Sequence, residues 1–139
     1  MRLFLDTCVM ISASASSKGA SREVFRRFAS NGWTLVTTPY AIEEVLRHLP
    51  HFPMAATSEW VSLRSSLLVM DDVFTATLPV VFPISKDRPI LFGALAWADV
   101  LLTLDRNDFH TLLGEEIYGM PILTPGAFLE WERAAGRLK

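Results

Sequence analysis

Four aspartates stand beside apolar segments of the chain, where a carboxylate is well placed to do chemistry. Asp6 follows the first apolar run, and Asp105 follows a late one. Asp108 lies just beyond Asp105, and Asp87 opens the apolar segment that leads into the run before Asp105. In open α/β sheets the ligand site lies beyond the carboxyl ends of the strands, so we expect these carboxylates to converge at one edge.

Converging carboxylates repel one another, so such a cluster is stable only if protons or cations neutralise it. Oxygen ligands of this kind select Mg²⁺ or Mn²⁺ rather than zinc. These ions can lower the pKa of a water molecule and stabilise the charge that develops on a phosphodiester. The pattern is therefore typical of a metal-dependent nuclease.

The elements that would position these acids alternate between strand and helix. The predicted strands are Arg2–Leu5, Trp33–Thr37, an irregular one at Leu78–Ile84, Asp99–Thr103 and Met120–Leu123. The predicted helices run from the N-cap Ser21 to Asn31, from the N-cap Thr38 to Pro50, from Met54 to Leu67, from Asp87 to Ala98 and from Pro125 to Ala135. This alternation predicts an α/β fold with a mostly parallel central sheet covered on both faces.

The composition predicts one cytoplasmic domain spanning 1–139. No apolar run is long enough to cross a membrane, and Asp6 comes too early for a signal peptide. The single cysteine agrees with a reducing compartment. The net charge of −2 gives no general attraction for a polyanion, although metal ions bound to clustered acids would reverse the local sign.

The ordered set of motifs resembles the PIN-domain family, which includes VapC-like toxin ribonucleases. Leu3-Phe4-Leu5-Asp6-Thr7 is similar to the family's opening strand, and Thr38-Pro39-Tyr40-Ala41-Ile42-Glu43-Glu44 to its second motif. Asp87-Arg88-Pro89 and the segment from Ala98 to Phe109 resemble the third and fourth motifs, and Ile122 to Leu129 matches the family's ending. The resemblance covers essentially the whole chain and implies a three-layer α/β/α domain.

The resemblance also implies the site and the activity. Its metal ligands and catalytic residues would be Asp6, Glu44, Asp87 and Asp105, with Asp108 as a further ligand and Thr7 and Thr103 in support. The activity would be endoribonuclease cleavage dependent on Mg²⁺ or Mn²⁺. The partners would be RNA, a protein antitoxin and a second copy of the chain, and no membrane. Apart from the resemblance, Arg88 and Arg106 stand beside proposed ligands and could contact RNA phosphates, or each could be an ordinary surface arginine or the partner of a nearby acid.

Two residues depart from the family pattern. Cys8 stands where the family often has asparagine, and Leu104 stands where it often has glycine. Neither departure replaces an acid, so both bear on the fine geometry of the site.

Simpler interpretations of these residues remain open. Asp87 and Asp108 could be helix caps. Helical periodicity places Glu44 opposite the apolar stripe Ile42, Val45, Leu46 and Leu49, which predicts a solvated side chain and leaves Glu43 as the competing ligand. The spacing of His48, His51 and His110 fits neither a zinc site nor a general base.

Three other functions also fit parts of the sequence. A PIN scaffold without catalytic activity could bind RNA or a protein. A PIN nuclease of RNA processing, which is not a toxin, would have the same motifs. A phosphoryl-accepting regulator of receiver type also clusters acids at strand ends, but the chain has no evident lysine after a late strand for that role.

Overall fold

The computed structural model of the protein describes residues 1–74, 88–106, 109 and 112–139. Six strands and six α-helices lie within these residues. The strands are β1 (Arg2–Leu5), β2 (Thr34–Thr37), β3 (Leu67–Val69), β4 (Val100–Leu102), β5 (Glu116–Ile117) and β6 (Met120–Leu123). The helices are α1 (Thr7–Ala15), α2 (Ala20–Asn31), α3 (Pro39–His48), α4 (Met54–Arg64), α5 (Arg88–Trp97) and α6 (Pro125–Ala134), and a 3-10 turn spans Leu49–His51.

The strands described form one sheet in the order β3-β2-β1-β4-β6-β5. All neighbours pair in parallel except β5, which runs antiparallel to β6. Helices pack on this sheet and on one another, with α5 against β1, β2 and β4. The predicted α/β fold with a mostly parallel, helix-covered sheet is thus confirmed.

The central strand β1 is buried because its neighbours cover it from every side. Leu3, Phe4 and Leu5 are fully buried, and the apolar residues of β4 are buried with them. A strand buried on both faces reads as a continuous apolar run, which is why β1 and β4 could be predicted from the sequence. The core therefore lies directly behind the strand ends that carry Asp6 and Thr103.

Several predicted boundaries were wrong. The second helix begins after Gly19, so Ser21 is a buried residue of its first turn rather than its N-cap. Its predicted end is confirmed, because Gly32 adopts the left-handed conformation with φ 68°. The fourth helix ends at Arg64, and Leu67, predicted as its last residue, begins β3.

Other elements differ from the prediction in kind. The helix α1 and the strands β3 and β5 were not predicted. Thr38 is the N-cap residue of α3, but its side chain accepts no capping hydrogen bond. The strand predicted at Leu78–Ile84 lies outside the described residues.

A close contact between α5 and β1 depends on Gly93. A Cβ at this position would lie 3.2 Å from Phe4 Cε2 and 3.3 Å from Thr38 Cγ2. Because both neighbours are buried, a larger side chain would force them to move. The absence of a side chain at Gly93 therefore lets α5 approach β1 and the start of α3.

We expect Gly93→Val to lower the free energy of unfolding by about 2 kcal/mol or more, because the added atoms overpack this contact. Urea denaturation monitored by circular dichroism measures the change. The matched control is Gly126→Val in α6, where a Cβ meets only Ala20 Cβ at 3.9 Å. Equal stability of the two variants would contradict the proposed close packing.

Candidate functional site

The candidate site lies where the order of the strands reverses. From β1 the chain proceeds to β2 and β3 on one side of the sheet, and β4 and β6 lie on the other side. Asp6 follows β1, and its backbone N–H donates to the carbonyl of Leu102 at the end of β4, at 3.0 Å. This is the switch point at which open α/β sheets bind ligands.

Asp6 is held rigidly at this point, with only 4% of its surface exposed. It is the N-cap of α1, and its Oδ1 accepts the backbone N–H of Thr7 at 2.7 Å. Its Oδ2 accepts the hydroxyl of Thr103 at 2.7 Å. Both carboxylate oxygens are therefore fixed by groups on two different elements.

Burial dominates the electrostatics of Asp6. Loss of hydration raises the pKa of its carboxyl group from 3.8 to about 6. Hydrogen bonds from Thr103, Thr7 and Cys8 act in the opposite direction, and the nearby charge of Glu44 adds to the rise in pKa. Near neutral pH, Asp6 is thus an ionised carboxylate in a poorly hydrated place, which favours a cation beside it.

Glu44 is brought to the same place by Thr7. The hydroxyl of Thr7 lies 3.1 Å from Glu44 Oε2, to which it donates, and 3.4 Å from the carbonyl oxygen of Ala41. Glu44 is half-buried, whereas Glu43 is exposed. Of these two glutamates, Glu44 is therefore the one that faces Asp6, and the expectation from periodicity that it is solvated was wrong.

Asp105 joins the site through Thr103. Its backbone N–H donates to the Thr103 hydroxyl oxygen at 3.0 Å, and that hydroxyl donates in turn to Asp6. Cys8 makes a second link, because its Sγ accepts the N–H of Leu104 at 3.2 Å and lies 3.5 Å from Asp6 Oδ2. Thr103 and Cys8 together fix the segment after β4 against Asp6.

A cleft of about 780 Å³ opens over these residues. Its lining includes Asp6, Glu44 and Asp105, which come from three separate parts of the chain. It also includes Arg47, His48, His51 and Phe52, which follow Glu44 along α3 and the 3-10 turn. The structure thus brings together three of the predicted ligands with a group of residues that the motif comparison did not assign.

The other predicted site residues are placed differently or lie outside the described residues. Arg88 and Arg106 are exposed, and neither lines the described part of the cleft. Asp87 and Asp108, together with His110, fall outside the residues that the structure describes. Their roles therefore stay predictions.

The donor atoms suit a hard divalent cation, because Asp6, Glu44 and Asp105 offer carboxylate oxygens. Among the described residues, however, no three His, Cys, Asp or Glu side chains are placed to hold a metal ion. Asp87 and Asp108, the other two predicted ligands, lie outside the residues described. The chemistry of the donors fits Mg²⁺ or Mn²⁺.

The comparison with known proteins supports the fold. The sequence matches no protein-family model and no curated protein sequence. Its structure is similar to a chain in the crystal structure of VapBC2 from Rickettsia felis bound to a DNA fragment from their promoter, with a TM-score of 0.61 and 16% identity. The similarity covers 88% of this chain and 97% of that chain. This similarity shows that the two chains share a fold.

The described residues also bear on the prediction that no segment of the chain crosses a membrane. Within residues 1–74, 88–106 and 112–139, no helix has the length and apolar character needed to cross a bilayer.

We expect Asp6→Asn to raise the free energy of unfolding at pH 7 in EDTA by on the order of 1 to 3 kcal/mol, because it removes a buried charge. The folded-state pKa is raised from 3.8 to about 6, so the contribution of Asp6 to stability is most favourable below pH 3.8 and falls as the pH rises to about 6. The gain in the variant should therefore vanish near pH 4.

Urea denaturation of both proteins between pH 4 and pH 8 measures this difference. Asp71→Asn, at an exposed carboxyl group, is the control and should change stability by less than about 0.5 kcal/mol. A stability difference that does not depend on pH would contradict the raised pKa of Asp6.

We expect Thr103→Val to raise the pKa of Asp6 further and to lower the free energy of unfolding by about 1 to 3 kcal/mol, because Asp6 loses a donor and Asp105 N–H loses an acceptor. NMR titration of the Asp6 carboxyl carbon and urea denaturation measure the two effects. Thr103→Ser keeps the hydroxyl and serves as the control. An unchanged Asp6 pKa in Thr103→Val would show that the hydrogen bond is not formed in solution.

Proposed function

We propose that the protein is a metal-dependent endoribonuclease that hydrolyses RNA phosphodiesters. The observation that carries the proposal is the convergence of Asp6, Glu44 and Asp105 on one cleft at the switch point of the sheet. Carboxylates from separate elements at such an edge are suited to bind divalent cations and, through them, a phosphodiester. The PIN-like fold agrees with this assignment.

The protein's contribution is to hold charged oxygens in fixed positions before substrate arrives. Thr7 N–H and the Thr103 hydroxyl fix the two oxygens of Asp6, and the Thr7 hydroxyl fixes Glu44. Preorganised groups of this kind need not reorganise during the reaction. The burial of Asp6 also limits the access of water to its carboxylate.

Asp6, Glu44 and Asp105 would hold Mg²⁺ or Mn²⁺ together with Asp87 and Asp108. A divalent cation bound there would lower the pKa of a water molecule and stabilise the charge of the phosphodiester during in-line attack. The role of the protein side chains in this proposal is to ligate and orient rather than to transfer protons.

We further propose that the protein is the toxin component of a toxin-antitoxin pair. The structural neighbour comes from a VapBC2 complex, and VapC is a PIN-domain toxin. An antitoxin partner, a homodimeric state and a cytoplasmic location are parts of this proposal. A PIN nuclease of RNA processing would share the same site and would differ in being tolerated by cells without a partner protein.

We expect Glu44→Gln to reduce RNA cleavage by about a hundredfold or more, because it removes a charged ligand from the cleft. The assay incubates a mixed pool of structured and single-stranded RNA with purified protein in Mn²⁺, Mg²⁺ or EDTA, with Asp6→Asn alongside. Glu43→Gln, which changes the exposed neighbour in the same way, is the matched control and should retain full activity.

Cleavage that needs the metal, is lost in Asp6→Asn and Glu44→Gln, and persists in Glu43→Gln would support the proposal. Full activity in a folded Asp6→Asn protein would refute it. Loss of activity in Glu43→Gln alone would exchange the roles of the two glutamates.

A non-catalytic PIN scaffold is the second candidate, and one observation favours it. Cys8, whose Sγ lies 3.5 Å from Asp6 Oδ2, stands where the family often has asparagine and so removes a polar side chain from the site. Under this alternative the protein would bind RNA or a protein partner equally well in EDTA and in metal, and it would not cleave RNA at any metal concentration.

A further inference from the structure

The helix that supplies Glu44 to the cleft, α3, receives no cap from its own N-cap residue. The first turn of any helix leaves backbone N–H groups without partners inside the helix, and the N-cap side chain usually accepts one of them. In α3 the N-cap residue is Thr38, whose side chain accepts none. Pro39, the next residue, has no N–H, so Tyr40 carries the first N–H of the helix. The first turn of α3 therefore needs an acceptor from elsewhere in the chain.

Packing against α5 accounts for the missing cap. Thr38 is fully buried, and its hydroxyl oxygen has no hydrogen-bond partner among the residues that the structure describes. Its Cγ2 faces Gly93 of α5, where an added Cβ would lie only 3.3 Å away. The side chain of Thr38 thus packs against α5 instead of capping α3.

Asp72 supplies the missing acceptor from a distant part of the sequence. Its Oδ1 accepts the backbone N–H of Tyr40 at 3.0 Å. Tyr40 is the second residue of α3, which is a position whose N–H an N-cap side chain ordinarily accepts. A carboxylate at this end of a helix is also favoured by the helix dipole. The half-buried Asp72 therefore caps α3 in place of Thr38.

The segment that carries Asp72 is itself anchored by two hydrogen bonds. The N–H of Met70 donates to the carbonyl of Thr37 at 2.9 Å, which continues the pairing of β3 with β2. The indole N–H of Trp97, at the end of α5, donates to the carbonyl of Asp71 at 2.9 Å. The acceptor that Asp72 offers to α3 is therefore fixed relative to both the sheet and α5.

The cap lies one helical turn before Glu44. Tyr40 and Glu44 are spaced i and i+4 on α3, and both line the cleft. The Thr7 hydroxyl contacts the next part of the helix, at 3.1 Å from Glu44 Oε2 and 3.4 Å from the carbonyl oxygen of Ala41. Because hydrogen bonds depend steeply on distance and angle, a displaced first turn would weaken the contact between Thr7 and Glu44.

We propose that Asp72 is a positioning residue of the site. Its hydrogen bond to the N–H of Tyr40 fixes the first turn of α3, and this turn sets the position of Glu44 relative to Asp6. Only the role of Glu44 as a metal ligand rests on the proposed function. The inference adds to the site a residue that acts solely through another side chain.

The placement of Glu44 is tested without metal. In EDTA at pH 7, the NMR signal of the Glu44 side-chain carboxyl carbon should shift in Asp72→Ala. It should keep its wild-type position in Asp72→Asn, because asparagine retains an oxygen that can accept the N–H of Tyr40. Asp71→Ala is the matched control and should also leave the signal in place, since Asp71 is exposed and Trp97 donates to its backbone.

Calorimetric titration with Mn²⁺ measures the consequence for the metal site. Asp72→Ala should weaken Mn²⁺ binding roughly tenfold, as is usual for residues that orient metal ligands. Asp72→Asn and Asp71→Ala should bind within about twofold of the wild type. In a Glu44→Gln background, Asp72→Ala should cause no further loss of affinity, because both substitutions act on the same ligand.

The variants are expected to fold. Loss of a helix cap should lower the equilibrium constant for folding about fivefold, which urea denaturation measures. If Asp72→Ala is nevertheless unfolded, Asp72→Glu gives the same test, because it keeps the charge and moves the acceptor by one methylene group.

The outcomes separate this inference from the function on which it rests. An unmoved Glu44 signal in folded Asp72→Ala overturns the inference, whether or not the protein is a nuclease. An equal loss of Mn²⁺ affinity with and without the Glu44 carboxylate also overturns it, because Asp72 would then act independently of Glu44. If the signal moves but the wild type neither binds Mn²⁺ nor cleaves RNA, the positioning role stands and the proposed function fails.

Discussion

The constraint on which the site depends is the position of Asp6 at the junction of three elements. Its backbone N–H is bonded to β4, its carbonyl accepts the N–H groups of Val9 and Met10 as α1 begins, and its side chain is bonded to Thr103. The carboxylate cannot turn towards solvent without breaking these bonds. The fold thus keeps an ionisable group in a poorly hydrated place, and this carboxylate favours the binding of a cation in the cleft above it.

The parts of the fold that could be predicted from the sequence are those in which hydrophobicity or a capping residue indicates the environment of the element. The buried strands β1 and β4 are continuous apolar runs, and α6 carries Thr124 as a capping residue followed by Pro125. The helix α1 could not be predicted in this way, because Thr7–Ala15 mixes serines with apolar residues without a one-sided pattern. It packs against α2, α3 and α4, so its sequence lacks the single polar face by which a surface helix is recognised. The strand β5 has only two residues, and the first residue of β3 was assigned to the end of the predicted helix Met54–Leu67.

The same reasoning explains what the sequence showed of the site. Asp6 and Asp105 both line the cleft, as expected of residues that follow neighbouring strands, because strand ends on a parallel sheet meet at one edge. The position of Glu44 in the cleft could not be predicted without the tertiary structure, because helical periodicity assigns every residue opposite an apolar stripe to the solvent-exposed face. In this fold that face borders a cleft, and Leu46, assigned to the apolar stripe, is 55% exposed. The helical spacing of the polar residues from Glu44 to His51 can be read from the sequence. That these residues line one cavity is known only from the structure.

Cys8 gives the protein a built-in reporter of access to the cleft. Burial and the adjacent Asp6 charge raise the pKa of its thiol to about 12, so the folded state holds it in the unreactive protonated form between the ends of β1 and β4. It is the single cysteine of the chain. Because Cys8 is partly exposed and lines the cleft, the rate at which a thiol reagent labels the native protein measures how accessible the cleft is beside Asp6. Any ligand that bridges Asp6 and Asp105 should slow that labelling, which gives a measure of site occupancy that needs neither substrate nor turnover.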